Sequence, residues 1–420
     1  MNQKKDFKIN SISFLLLVFL VLFPKGGFKI ANIPITWGYL LLVFISGIAF
    51  LGLLKEGLKK ISKKRFYTFL LIVPFQAMSI ICLIFNGWTQ IGFTLSFVIS
   101  LILIPFFFII VLGSYMDRIE LKFIFNLLRH IIFIISIYGI ILFFYRSISG
   151  SFLEIPFLTV NIDDLGLLDE KHIDRGGVFK LISTYNNGNI YGNCVLMFLP
   201  LYSLLETSRT KMLLVKVSLF LTLARTIWIG LFLYEVMSSF LFNLKYARSN
   251  NSKNFSLENL KTFFKTFVVL IIFVAGVSFS LSLFNADISF IFDPKLGGRE
   301  DQLMSLINMS FLPYKSFDTI AEIVYLSILN QFGILGLFLF ILEMTSPLII
   351  NSRKFSSVFS GNYYKQACAF GMILYLVISG ADGAILYIPV MAIYWFLASL
   401  YLYDFNNLSL INSPSLDMKS

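Results

Sequence analysis

The sequence predicts an all-α integral membrane protein with about twelve transmembrane helices and two long loops on the outer side. Three observations carry that prediction. Of the 420 residues, 57% are hydrophobic and only 14% are charged, against roughly 45–50% and 25% in a soluble domain. The mean hydropathy is +0.82. The apolar residues also gather into runs close to the roughly 17–25 residues that a helix needs to cross the hydrocarbon core. Together these exclude an ordinary cytoplasmic enzyme, a disordered chain and a disulfide-stapled secreted module.

The runs follow in order. Ile9–Phe23 comes after Lys4, Lys5 and Lys8, as in a signal peptide, but Pro24-Lys25-Gly26-Gly27-Phe28 offers no small-residue cleavage site, so it reads as a retained first helix. Trp37–Leu54, Phe66–Phe85, Ile91–Leu112 and His130–Tyr145 lead to a long outer loop over residues 146–189. Ile190–Leu205, Met212–Leu223, Thr226–Phe242 and Phe264–Phe284 lead to a second over 285–322. Ile323–Leu348, Ala367–Ile378 and Ala384–Tyr403 complete a single membrane domain over 1–403, and 404–420 form a polar cytoplasmic tail. The halves do not look alike and no solenoid-length period recurs.

The 34 Lys+Arg outnumber the 23 Asp+Glu and give a net charge of +11. With the N-terminus inside, 24 basic residues fall in inner segments and 10 in outer ones, which places both termini in the cytoplasm. That asymmetry accounts for most of the charge without a nucleic-acid partner. Cys82, Cys194 and Cys368 each lie inside an apolar run, so no disulfide framework is expected. With two histidines and no Cys/His cluster, no metal site is expected either.

The outer basic minority is the informative part, because acidic residues outnumber it there. Arg175 and Arg299 stand in the two long loops and read either as solvated loop charges or as anion contacts. Arg225 stands in a minimal turn, Thr222-Leu223-Ala224-Arg225-Thr226, where a guanidinium either snorkels to the headgroups or meets an anion at the membrane–water boundary. Glu322 and Tyr325 are spaced i, i+3 at the outer start of a helix, where an acid also complements the helix dipole. His172 lies in the first long loop as a solvated residue or a base, and His130 reads as a helix-end residue. Glu235, at membrane depth, is a functional candidate or a paired structural carboxyl, and Glu343 reads as interfacial.

Four segments in order resemble a family. The Tyr185-Asn186-Asn187-Gly188-Asn189 loop end enters a helix containing Pro200; Thr222–Leu231 follows; Gly297-Gly298-Arg299 lies in a late outer loop; and Glu322-x-x-Tyr325-Leu326 runs into Phe332-Gly333-Ile334-Leu335-Gly336. Together they look like the O-antigen polymerase (Wzy-type) and O-antigen ligase superfamily, over roughly Thr184 to Gly336. The chain departs from the family at Ala224, where serine usually precedes the arginine. An acidic residue at 322, where many ligases have histidine, tilts the resemblance toward polymerases.

The resemblance implies a GT-C-like, metal-independent, inverting glycosyltransferase without cofactor at the outer face of a bacterial inner membrane. Its partner is a glycan on undecaprenyl diphosphate, with a flippase and a chain-length regulator alongside. By that analogy Arg225 and Arg299, supported by Arg175, meet the leaving diphosphate. Glu322, or else His172, is the base. Asn187, Asn189, Asp301 and Tyr325 bind sugar. The alternatives are a ligase, which transfers glycan to lipid A–core, and a lipid-linked oligosaccharide flippase or other transporter, for which Glu235 speaks.

Overall fold

The computed structural model describes residues 11 and 13–404, apart from 31–32, 57–60, 114–120, 169–173, 176–177, 251–267, 269–301, 304–308 and 352–361. Each of the eleven apolar runs within these residues is helical along most of its length. The first helix, α1 (Ser13–Leu22), leads through a hairpin of β1 (Gly27–Ile30) and β2 (Ile33–Thr36) into α2 (Trp37–Glu56). The hairpin is antiparallel, with Gly27 opposite Thr36 and Ile30 opposite Ile33. Then follow α3 (Lys63–Asn86), α4 (Ile91–Val111) and α5 (Leu121–Ser149). The first long loop holds a minimal hairpin, β3 (Asp174–Arg175) with β4 (Val178–Phe179). Beyond it come α6 (Gly188–Leu205), α7 (Arg209–Phe220) and α8 (Arg225–Asn250). The chain ends on α9 (Val324–Asn351), α10 (Tyr363–Asp382) and α11 (Ile388–Leu402).

Seven described helices are long and apolar enough to cross a membrane: α2 to α6, α9 and α10. α1 and α11 are apolar but shorter. The run Phe264–Phe284 lies outside the described residues. The chain is therefore a multi-pass α-helical membrane protein. Its surface agrees, because Val43, Ile84, Phe85 and Phe338 are more than 60% exposed on helix flanks where only lipid suits them.

α6 and α11 form the centre. Every residue of α11 is buried, as expected of a helix that is apolar all round. A helix enclosed by protein rather than lipid has no need to match the bilayer thickness. Small residues bring the inner helices together, as membrane helix packing requires. A Cβ at Gly371 of α10 would collide with the Met197 carbonyl of α6, and one at Gly230 of α8 would collide with Leu196.

Two boundaries depart from the sequence reading. α5 begins nine residues before His130, so His130 sits within the helix, exposed, with its ring 2.7 Å from the Asn126 carbonyl. The polar stretch before it forms the first turns of the same helix. The run Ile323–Leu348 is not one straight helix. At Gly333 the backbone takes φ 72°, ψ −175°, a region essentially reserved for glycine. The helix folds back there, and Tyr325 and Phe340, fifteen positions apart in sequence, bring their rings to 6.3 Å. Freed backbone N–H groups at the bend are satisfied from outside the helix: Ile334 N donates to Ser310 O at 3.0 Å and Leu335 N to Phe311 O at 3.2 Å.

Candidate functional site

Side-chain and backbone contacts bring the loop-facing ends of most helices to one end of the bundle. Tyr185 Oη donates to Val21 O at 2.8 Å, joining the loop before α6 to the end of α1. Trp37 Nε1 donates to Phe157 O at 2.7 Å, joining the start of α2 to the first long loop. Leu181 N donates to Leu221 O at 2.9 Å, and Gly383 N to Glu322 O at 3.1 Å. The last of these ties the α10–α11 turn to the start of α9.

The entrance to α6 is built by its sequence. Ser183–Tyr185 form one 3-10 turn. Asn186 takes a left-handed conformation at φ 55°, which a short amide tolerates. Asn187 caps the helix, its Oδ1 accepting from Asn189 N at 2.9 Å and Ile190 N at 3.2 Å. A Cβ at Gly188 would lie 2.8 Å from Leu181 O and 3.3 Å from Thr222 O, so the turn before Arg225 rests directly on the start of α6.

Asn189 then reaches across to α10, where its Nδ2 donates to Asp382 Oδ2 at 2.5 Å. One turn further on, Asn193 Nδ2 donates to the Asp382 carbonyl at 3.1 Å. Asp382 is only 4% exposed. It ends α10, where the helix dipole disfavours an anion, and amide donors hold it there. The Oδ1 atoms of Asn189 and Asn193 are buried and have no protein partner. Two acceptors thus stand beside one buried carboxylate.

Arg225 opens α8, half-buried, after a turn in which Leu223 has φ 50°. Thr222 Oγ1 donates to Leu219 O at 2.6 Å, and Trp228, stacked on Phe220 at 4.9 Å, donates Nε1 to Phe220 O at 2.9 Å. The guanidinium therefore springs from a fixed turn. Glu322 is exposed and lies two residues before α9, so it does not share a helical face with Tyr325 as the spacing suggests. Its carbonyl instead holds the α10–α11 turn. Tyr325 Oη donates to Leu376 O and accepts from Ser379 Oγ at 3.2 Å, which turns it toward α10. Tyr387 lies in the turn before α11. Burial, then the negative charges of Asp382 and Glu322, push its hydroxyl pKa above the usual value.

Beside this cluster lies a polar cavity of about 340 Å³, bordered by Lys25, Lys29, Tyr39, Asn161, Asn187 and Tyr387 among others. Asn187 thus joins α6 to the cavity wall. Of the other residues expected at the site, Arg175 has its backbone in β3, and His172, Arg299 and Asp301 lie outside the described residues. Sequence reasoning missed Lys25, Lys29, Asn161, Asn193, Asp382 and Tyr387. The signal available for Asp382 is its place between Gly380 and Gly383, a turn motif at the end of an apolar run.

Two carboxyls within helices are also resolved. Glu235 pairs with Lys216 at 2.5 Å, linking α8 to α7. Glu343 is 0% exposed, packed into the bundle, and neither carboxyl oxygen has a hydrogen-bond partner among the described residues. Among the described residues no three His, Cys, Asp or Glu side chains gather as a metal site would require. No family model, curated protein or solved structure is significantly similar to the chain.

Proposed function

We propose that the chain is a polysaccharide repeat-unit polymerase, a glycosyltransferase that lengthens glycans carried on undecaprenyl diphosphate at the outer face of a bacterial inner membrane. The observation that carries this reading is the gathering of Glu322, Asp382, Asn189 and the Arg225 turn around one polar end of an otherwise apolar bundle. The ordered motifs between Thr184 and Gly336 support it. On this reading the bundle has twelve spans in a GT-C-like arrangement, both termini are cytoplasmic, and the polar end faces outward.

In the reaction the bond between the donor sugar's anomeric carbon and the diphosphate oxygen breaks, and a bond to the acceptor hydroxyl oxygen forms from the opposite face. The hydroxyl proton passes to the Glu322 carboxylate, the base in this scheme. The bonding electrons leave with the lipid diphosphate. Arg225 and Arg299, with Arg175 in support, stabilise the charge developing there. Asp382 orients the Asn189 amide, whose free Oδ1 accepts from a sugar hydroxyl, and Asn187, Asp301 and Tyr325 complete the sugar-binding set. A flippase supplies the substrate and a chain-length regulator sets the product.

Single Ala substitutions of Arg225, Arg299 and Glu322 test this in cells. Long-chain polysaccharide should shorten or vanish while the proteins stay in the membrane. Normal ladders in all three would reject the reading. Product on lipid A–core instead of on a second repeat would make it a ligase. A second reading, translocation of the lipid-linked glycan, is favoured by Glu343, since a buried unpaired carboxyl at membrane depth is typical of transport proteins. Glu235, already paired with Lys216, lends it no support.

A further inference from the structure

Residues 309–314, which the sequence assigns to the second long loop, present apolar side chains where a water-facing loop would present polar ones. The stretch Met309-Ser310-Phe311-Leu312-Pro313-Tyr314 carries no charge. Met309, Phe311, Leu312 and Tyr314 are each more than half exposed. Four such side chains together form a patch, unlike singly scattered apolar residues, and a patch of this kind marks an interaction surface.

The backbone fixes where the stretch sits. Its start is tied to the bend of α9 by the bonds from Ile334 N to Ser310 O and from Leu335 N to Phe311 O. Beyond the bend α9 runs antiparallel along α3. Lys64 meets Asn351, Phe75 and Phe340 set their ring centres 5.5 Å apart, and a Cβ at Gly336 would lie 3.6 Å from Met78 Cε. This register sets Gly333 level with Ile81 and Cys82, about 7 Å inside the Asn86 end of α3 at 1.5 Å per residue. From there the chain climbs. Phe317 N donates to Gly87 O at 3.0 Å and Thr89 N to Phe317 O at 2.9 Å, so Phe317 is level with the turn between α3 and α4. Both helices are long and apolar enough to cross the bilayer, so that turn stands at a membrane surface. Ser310 and Phe311 lie on the membrane side of it.

The exposed patch also runs into a surface that lipid must cover. Ile334, Phe338 and Ile341 form an exposed stripe on α9 at i, i+4, i+7 spacing, and it begins at the residue whose N–H binds Ser310. Trp88, bridged to Phe317 at the turn, is half exposed. Trp88 and Tyr314 are the residue types that membrane–water boundaries favour. At the deep end the carbonyls of Ser310 and Phe311 are met by α9, as non-helical backbone near lipid requires. A depth of about 7 Å falls within the roughly 5–10 Å at which amphipathic segments settle into the boundary of headgroups and acyl chains.

We propose that residues 309–314 are seated in the lipid leaflet at this end of the bundle, with Phe311 and Leu312 against the upper acyl chains and Tyr314 and Trp88 at the headgroups. The partner of this surface is the bilayer itself. The placement does not depend on the glycosyl-transfer scheme.

The test uses the full-length protein with Cys82→Ala, since Cys194 and Cys368 are buried. A nitroxide is attached at Leu312→Cys or, separately, at Phe311→Cys, and the protein is placed in vesicles of phosphatidylcholine and phosphatidylglycerol. Because both native side chains are more than half exposed, the labels should leave the melting temperature unchanged. Power-saturation spectra then compare collisions with dissolved oxygen and with a water-soluble nickel chelate. Phe338→Cys is the lipid reference and Ser151→Cys, exposed beyond the end of α5, the aqueous one. The oxygen-to-nickel ratio at 311 and 312 should approach that at 338 and exceed that at 151 by roughly fivefold or more, because hydrocarbon excludes a polar chelate. In the unlabelled protein, the fluorescence that Trp88→Phe removes should be quenched by brominated lipids. A ratio equal to that at 151 would make the stretch a solvated loop. Low access to both reagents would mean that a second copy or another protein covers it. Either result, or Trp88 emission that brominated lipids leave unquenched, would overturn the proposal.

Discussion

The two ends of the bundle use basic residues differently. At one end Arg65 is 1% exposed and spends its guanidinium on α11, donating Nη1 to Ser399 Oγ at 2.8 Å and Nη2 to Ser399 O at 3.2 Å. Its side chain lies against Gly113, where a Cβ would sit 2.8 Å from Arg65 Cδ. Lys64 Nζ donates to Asn351 Oδ1 at 2.9 Å on α9. These cations bind helix to helix. At the other end Lys25 and Lys29 border a cavity, and Arg225 opens α8 after a turn that rests on the start of α6. A count of charges per loop does not tell these two uses apart. The difference lies in where the cations stand: between packed helices at one end, and at a cavity and a helix start at the other.

The comparison can be broken at several points. The largest effect is expected at Arg225. Arg225→Ala should lower chain elongation by about 10²–10³-fold, the usual result of removing one stabilising donor at a developing anion. Detergent melting curves should stay near wild type, since the turn is held by Thr222, Phe220 and Trp228. Arg65→Met should do the reverse. It strands Ser399 and loses about 2–4 kcal/mol of stability through broken charge-assisted bonds and poorer packing. Melting temperature would report this, while the activity of the folded fraction persists.

Next comes the buried amide–carboxylate pair. Asp382→Asn and Asn189→Ala should each reduce turnover by roughly tenfold or more, and the double substitution should add little, because both act through one contact. Full additivity would mean that the two act separately. The smallest effect is expected at Gly333. An alanine there must hold φ 72° with its Cβ 2.7 Å from Phe311 O, a cost of about 1–3 kcal/mol. A lowered melting temperature with elongation by the folded fraction intact would show that the bend shapes α9 and not the site.

How much of this was legible in the sequence follows from what each part must satisfy. Lipid requires long apolar runs, so α2, α3, α4 and α10 could be read directly. Their ends could not, because headgroup depth accepts both polar and apolar residues; α5 therefore starts at Leu121, before the run that marks it. The break in α9 is invisible because Gln331-Phe332-Gly333-Ile334 is apolar enough to continue a helix, and the carbonyls that make the bend possible come from Ser310 and Phe311. At the site, Asn187 and Asn189 could be picked out as polar residues entering an apolar helix. Lys25 and Lys29 read as ordinary loop charges in the sequence, since only the folded hairpin, bridged at Gly27 to Asn161, brings them to one cavity. Asp382 becomes a partner of Asn189 only when α6 and α10 pack together, a contact with no sequence period to announce it.

On the proposed function, the polar end of the bundle itself joins the glycan repeats. Purified chain mixed in detergent with an undecaprenyl-diphosphate-linked repeat, and no nucleotide sugar, should produce lipid-linked dimers and longer products, and Arg225→Ala should produce none above background. Repeat units left unextended by the folded wild-type protein, together with their transfer across the membrane of reconstituted vesicles, would contradict it.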